Sequence, residues 1–396
     1  MTPPVSSDVL VVGGGIVGTA TAAFLAGRGA RVTLVERTEI AAGASGRNSG
    51  VIQQPFDDVL AELYRESLTL YRELAAAVPG AFEVANEPAG LLLLGPGRAE
   101  AEARRLVAAW AGAHPEARPE LVADGALRRL EPSLADGLAA CRLAIGYPVA
   151  PASATSAYAA LAERRGARIV TGADARVWRE GDAVGGVEVD GRRLAAGAVV
   201  VAAGPWTTAI TAATDAGRLP IGASWGAIAS VSLDPAPDHV LEELDIEIEP
   251  DTDVDVAAPA SVAPEAGFGF SLVTAAGISA LGSTFLPEPP EPADVVGRLR
   301  DRGARYLPAL RDAAVLGARV CARPVTPDGR PLVGAIPGLR RAFVAAGNGP
   351  WGISTGPGTA RLVADLVLGL IDAVPASVDP ARFRSWSSGQ REPVPG

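Results

Sequence analysis

The sequence predicts an α/β chain with a Rossmann-like, mostly parallel sheet, and three stretches carry that expectation. The first is an apolar run over residues 9–12 that ends in "GGGIVG" and leads through a helical pattern to "RVTLVER". The second is "EVDGRRLAAGAVVVAAGPW", a polar hairpin followed by a buried strand over residues 199–201 and a small-residue turn. The third, "RAFVAAGNGPWGISTGPGTARLVADLVLG", repeats the order of strand, glycine-rich loop and helix near the C-terminal end. Short apolar strands alternating with helices pair as parallel neighbours, because the crossover helices cover the sheet.

Each element has its own justification. Gly13, Gly15 and Gly18 form G-x-G-x-x-G ahead of a helix over residues 16–27. One glycine makes the tight turn, one lets the backbone approach a pyrophosphate, and one lets the helix pack on the strand. The helix N-terminus, with free N–H groups and a positive dipole end, then receives the anion. Glu36 closes the second strand, 18 residues after Gly18, and can accept both ribose hydroxyls. A glycine fingerprint alone is weak evidence, but strand, helix and closing acid together make a dinucleotide site. They do not separate FAD from NAD. Residues 59–76 carry helical periodicity in Leu60, Leu63, Tyr64, Leu68 and Tyr71. Residues 152–165 read as another helix, leading into the strand "ARIVTG". In the C-terminal loop, small residues let a flat ring lie on the backbone. A helix from Ser354 offers its N-terminus to negative charge.

With 396 residues the chain is long enough for two domains, or for one large domain with another inserted. A 48% apolar share predicts a sizeable core, and a net charge of −10 argues against nucleic-acid backbones and anionic membranes as partners. All 35 basic residues are arginine. Without lysine there is neither a Walker-type phosphate lysine nor a Schiff-base mechanism. Cys141 and Cys321 are the only cysteines and form no C-x-x-C. Neither a disulfide framework nor a metal site is expected, which fits a reducing cytosol. "MTPPVSSDVLVVGGG" has no basic n-region, and the longest uncharged runs, 194–214 and 266–287, are broken by Gly, Ser and Thr. The expectation is a cytoplasmic protein without a membrane span. Between Arg218 and Arg298 lie fourteen acids and no arginine, ten of the acids within 234–255. In "LDIEIEPDTDVDV" they alternate as on a half-exposed antiparallel strand, either a solvated face or a rim that draws in a cationic amine.

Together with "ASGRNSGVI" (residues 44–52) and "CARPVTPDG", these segments resemble the FAD-dependent amine oxidoreductases that include glycine oxidase, sarcosine oxidase and D-amino-acid dehydrogenase. The resemblance covers residues 7–60, 148–210 and 317–372, whereas 216–295 shares only a strand-rich character. Flavin hydroxylases end in Gly-Asp where this chain reads Gly347-Asn348-Gly349-Pro350. What the resemblance implies is FAD in a discontinuous domain over 1–80, 148–215 and 318–374. A mixed α+β substrate domain on an antiparallel sheet would take 81–147 and 216–317, with a surface tail over 375–396. The resemblance places Gly13, Gly15, Ile16 and Val17 at the pyrophosphate, with Glu36 and Arg37 at the adenosine. Ala44, Ser45, Ser49, Gly50 and Val51 follow the diphosphate, ribityl chain and ring, with Gly46, Arg47 and Asn48 in the same loop. Ala175 gives a backbone contact to adenine, and Ala203 and Gly204, just after the strand over 199–201, join the cofactor-binding residues. Asn348, Gly349, Pro350, Gly352, Ile353 and Ser354 line the pyrimidine side. Ser45 and Asn48 also read as plain loop formers.

In this group the arginine of "RP-x-T-x-D-G" holds the substrate carboxylate, and Arg323 occupies that place in "VCARPVTPDG". A guanidinium offers a two-pronged fork, although an arginine at a strand end also makes ordinary ion pairs. Cys321 stands where sarcosine oxidase-like proteins attach the flavin covalently; the other reading is a small buried thiol. Trp351 and the residues around Gln53 would shape the pocket beside the ring, or Trp351 would be a core aromatic. His114 and His239 are the only histidines, and neither lies in a matched motif. The resemblance implies oxidation of the C–N bond of a small amine or amino acid, with oxygen or an electron carrier as acceptor. An amine can react as its free base, whereas a hydroxy acid needs a base for its hydroxyl proton. A 2-hydroxy-acid dehydrogenase of the same fold and a flavin-binding redox partner are the rival expectations.

Overall fold

The computed structural model describes residues 7–214, 218–244 and 267–383. β1 (Ser7–Val12) is buried almost throughout and stands inside a sheet in the order β17-β18-β11-β1-β2-β8. Its partners are β2 (Val32–Val35), β8 (Arg168–Val170), β11 (Arg192–Val201), β18 (Ala342–Ala346) and β17 (Leu332–Ala335). All pair in parallel except β17, which lies antiparallel on β18.

Alternate residues of these strands serve two cores. Val9, Val11 and Val200 face α1 (Ile16–Gly27), α3 (Asp58–Ala77), α6 (Ser153–Arg164) and α9 (Gly352–Val367). Leu10, Val12, Val199 and Val201 instead meet a ribbon of β9 (Ala175–Glu180) and β10 (Ala183–Val189). The ribbon continues into β11 through Asp190 and Gly191, both at positive φ. An Asp-Gly pair tolerates that backbone, so the predicted hairpin forms there.

The second sheet runs β16-β12-β15-β14-β13-β4-β6-β5. Its strands are β16 (Ala314–Val325), β12 (Gly222–Ser232), β15 (Ile278–Thr284), β14 (Phe268–Ala275), β13 (Val240–Glu243), β4 (Leu91–Pro96), β6 (Leu138–Leu143) and β5 (Glu120–Ala123). Pairing is antiparallel save for β13 on β4. One face packs on α8 (Pro292–Gly303) and α5 (Asp124–Leu130) through Leu241, Leu272, Leu281, Leu299 and Leu127. The other carries α4 (Glu100–Ala113) through Trp110 against Leu91, Leu93 and Val240. Further along, the same face meets the loops of the first sheet. A short ladder of β3 (Val51–Ile52) and β7 (Tyr147–Pro148), with α2 (Ala44–Arg47) and α7 (Thr207–Thr211), completes the structure.

Two expectations need correction, and a third lies mostly outside the described residues. The boundary at residue 318 falls inside β16, whose register with β12 runs on to Gly222 opposite Val325, so Cys321 and Arg323 belong to the second sheet. The tail from 375 begins fixed rather than superficial, since Val378 is buried and its carbonyl accepts from Val333 N at 2.8 Å. Of the acidic run, Glu243 is buried, while residues 245–255 lie outside the described residues.

Candidate functional site

At the first turn the three fingerprint glycines do different physical work. Gly13 has φ +116°, and a Cβ there would stand 2.4 Å from the Ala202 carbonyl oxygen. One on Gly18 would come still closer to the Gly13 carbonyl, so α1 lies directly on the end of β1. At Gly15 the nearest atom is the Ser45 hydroxyl at 3.0 Å, with little else around. That glycine faces a gap in front of the helix N-terminus.

Glu36 holds the loop from the side. Its carboxylate accepts from Gly14 N at 2.7 Å and Thr38 N at 2.8 Å. Ala173 N donates to the Glu36 carbonyl, which brings the segment before Ala175 alongside. Arg37 lies over the Trp206 ring at 5.0 Å, just beyond Ala203 and Gly204. Trp206 is a member of this wall that the sequence reading missed; its place after "AAGP" was the available signal.

The loop around α2 shows both readings of its polar residues. Ser45 Oγ accepts from Ile16 N at 2.9 Å, at the mouth of α1. Asn48 donates to the carbonyls of Ala44 and Ser45 and accepts from Gly50 N, which is loop-forming chemistry. Gly46 and Gly50 fit against the carbonyls of Ala41 and Val149, where a Cβ would collide. Arg47 donates to Val320 O, and Arg319 donates to the carbonyls of Arg47 and Asn48. The loop is therefore fastened to β16.

Opposite it, α9 starts at Gly352, two residues earlier than expected. Asn348 is buried, and its side chain turns back to donate to Thr355 and Thr359 instead of lining an open surface. Gly349 and Gly352 have nothing within 4 Å of a Cβ position, and neither has Gly204. Ser354 Oγ accepts from Gln53 N at 2.9 Å, joining β3 to the first turn of α9. Ile353 is buried, Pro350 is exposed, and Trp351 is half-buried outside the core clusters.

Arg323 is the distinctive charge. It is half-buried beneath the Phe285 ring, 4.6 Å from its centroid. Its guanidinium donates to Thr284 O at 2.6 Å and Ser283 Oγ at 2.6 Å. Both acceptors are neutral, and among the described residues no carboxylate pairs with it. Burial lowers its pKa, as expected for a cation without an anion. Cys321, two residues earlier on the same face, is buried with Sγ 3.9 Å from the Arg47 carbonyl. Burial pushes its thiol up, while Arg323, Arg319 and Arg47 pull it back.

Both histidines are occupied elsewhere. His114 Nε2 bonds the Phe56 carbonyl at 2.7 Å, and His239 Nδ1 bonds Glu131 at 2.8 Å. A second residue missed from sequence is Glu242, whose carboxylate accepts from Gln53 Nε2 at 3.2 Å. Burial raises its pKa to about 7. Its signal was the Glu242-Glu243 pair, since neighbouring strand residues face opposite sides. Among the described residues no group of His, Cys, Asp and Glu could hold a metal, and no helix is long and apolar enough to cross a membrane.

Two helix N-termini, open backbone at Gly15, Gly204, Gly349 and Gly352, and a tethered loop between them fit an extended dinucleotide with a flat ring. Comparison with known proteins agrees. The DAO family, described as FAD dependent oxidoreductase, matches residues 8–366. The uncharacterised oxidoreductase YurR of Bacillus subtilis is 28% identical over 385 residues, taking in 91% of this chain and 94% of its own. The tRNA 5-methylaminomethyl-2-thiouridine biosynthesis bifunctional protein MnmC of Burkholderia pseudomallei is 30% identical over 95% of this chain, which spans 59% of that relative. Glycine oxidase from Geobacillus kaustophilus superimposes with a TM-score of 0.79 at 26% identity, covering 96% of this chain and 98% of that one. L-proline dehydrogenase from P. horikoshii shares the fold, with a TM-score of 0.80 at 22% identity over 96% of this chain and 99% of that one.

Proposed function

Since the chain belongs to the DAO family of FAD-dependent oxidoreductases, we propose that it oxidises the C–N bond of a small amino acid or N-substituted amino acid to an imine, which water hydrolyses. Bound FAD supplies the hydride acceptor; the protein supplies orientation and charge. Gly13, Gly15, Ile16, Val17 and Ser45 would hold the pyrophosphate, with Glu36, Arg37 and Ala175 at the adenosine. The α2 loop and the start of α9 would hold the ring end.

The observation that carries the substrate class is Arg323. An enclosed guanidinium with only neutral acceptors is costly unless an anion completes it. Its two bonds to Thr284 and Ser283 use two of five donors, leaving a fork for a carboxylate. An amino acid so gripped presents its Cα–H in one direction, which is the orientation hydride transfer needs. The amine reacts as its free base, so the reaction needs no histidine, consistent with both being bonded away from the site. Trp351 would wall the pocket, and oxygen or an electron carrier would take the electrons.

Anaerobic mixing of the yellow protein with matched amino acids and 2-hydroxy acids tests the reading. Bleaching by amino acids, in at least one enantiomer, is expected. Bleaching by hydroxy acids alone would replace this reading with the hydroxy-acid one, and bleaching by neither would remove the substrate role.

A further inference from the structure

The two acids of β13 part company across the sheet. Glu243 points to the α8 side, where Arg302 donates at 2.7 and 2.8 Å and Tyr306 at 2.7 Å. Strand alternation turns Glu242 to the opposite face, the one that carries Arg319, Cys321 and Arg323. There Gln53 Nε2 donates to its carboxylate, and Gln53 N is itself fixed on Ser354 at the start of α9. Among the described residues no arginine lies within ion-pair distance of Glu242. The carboxylate keeps part of its surface accessible, yet it lies deep enough for burial to raise its pKa to about 7, against the pull of Gln53. A cation arriving there would draw it into the charged form.

The register sets a distance. Glu242 stands opposite Ser271 on β14, and Ser271 stands opposite Gly282 on β15. The Arg323 guanidinium lies over Gly226 of β12, one strand further on, and donates from there to Ser283 and Thr284 at the end of β15. Three strand spacings, from β13 to β12, separate the acid from the guanidinium, roughly 14 Å. With a hydrogen bond of about 2.8 Å at each end, roughly 8–9 Å remains between a bound carboxylate and the group that Glu242 receives. That far exceeds the separation of carboxylate and amine on one carbon, so the second group belongs to the far end of a long side chain.

Resting on the carboxylate role of Arg323, we propose that Glu242, held by Gln53, selects amino acids with a long basic side chain by accepting the side-chain ammonium. The flavin-loaded protein is tested with an artificial dye as acceptor, comparing lysine with norleucine, which lacks the side-chain ammonium. Both enantiomers are used. The unmodified protein is expected to favour lysine at least tenfold in kcat/KM, chiefly through KM, and Glu242→Gln to remove that preference. Gln53→Met reduces it in part, and Glu242→Arg turns it towards glutamate. The visible spectrum of each variant reports retained flavin, so a misfolded variant is recognised, and any variant that keeps its flavin decides the matter. Equal use of both substrates by the unmodified protein, or a preference that survives Glu242→Gln, overturns the role of Glu242 and leaves amine oxidation standing. Failure of every α-amino acid to reduce the flavin overturns the reaction itself.

Discussion

Arg323 is a cation that the fold encloses between the Phe285 ring, a carbonyl and a hydroxyl, with its counter-charge left to come from outside. Arg323→Ala should therefore keep FAD and lose substrate. Losing a charge-assisted bidentate contact in a closed site costs about 2–4 kcal/mol, hence roughly 30- to 1,000-fold in kcat/KM. Arg323→Lys should recover only part, because an ammonium lacks the fork. Stopped-flow flavin reduction measures both, and an unchanged rate in Arg323→Ala would make this arginine structural. Cys321 gives an independent result two residues away. Burial keeps its sulfur as a thiol, the form that does not act as a nucleophile. Acid precipitation should release the yellow colour; colour retained by the native protein and released by Cys321→Ser would instead show a thioether. At this scale the sequence was informative where a motif names a residue, as "RPVTPDG" names Arg323. It was silent where a side chain's direction decides its role. Asn348 was read onto the flavin surface but turns into α9, and Glu242 passed unnoticed because its contact with Gln53 crosses between sheets.

Among elements, α1 separates binding from folding within one motif. A side chain at Gly15 enters the gap before the helix, whereas one at Gly18 strikes the Gly13 carbonyl. Gly15→Val should give a folded, colourless protein. Gly18→Ala should lower the melting temperature as well, since a clash with backbone costs about 1–3 kcal/mol. Far-UV melting beside the visible spectrum separates the two, and full flavin in Gly15→Val would move the pyrophosphate elsewhere. The helix and its flanking strands were legible because glycines, apolar period and the closing acid agreed with one another. The C-terminal limit of the second sheet was not. β16 carries no break of its own at residue 318, and only its register with β12 shows that Cys321 and Arg323 ride on the second sheet. The packing of α9 is likewise a matter of neighbours, since Gly356 and Gly358 make room for Ile16 and for the Leu63 carbonyl.

For the molecule as a whole, the proposed site lies where the second sheet meets the loops of the first, and bonds run across that junction. Arg319 to the Asn48 carbonyl and Gln53 to Glu242 are such ties. Composition acts at this scale too. With no lysine in the chain, every fixed positive charge near the ring has to be a guanidinium. Arg319 and Arg47 stand with Cys321 on the shared face, but Arg319 is engaged with two carbonyls and Ser230, and Arg47 with Val320. A guanidinium spreads its charge over a plane and is held here by neutral acceptors, whereas an ammonium concentrates it at one point. The charge that builds on oxygen as it takes electrons is stabilised best by a compact cation already in place. Reoxidation of the reduced protein by oxygen should therefore be slower than by a quinone-like dye. Arg319→Met should slow oxygen further, and by more than it slows the dye. Rapid mixing of photoreduced protein with each acceptor gives both rates directly. Oxygen turnover as fast as the dye's, and indifferent to Arg319→Met, would mean that neither this guanidinium nor the missing lysine governs the choice of acceptor.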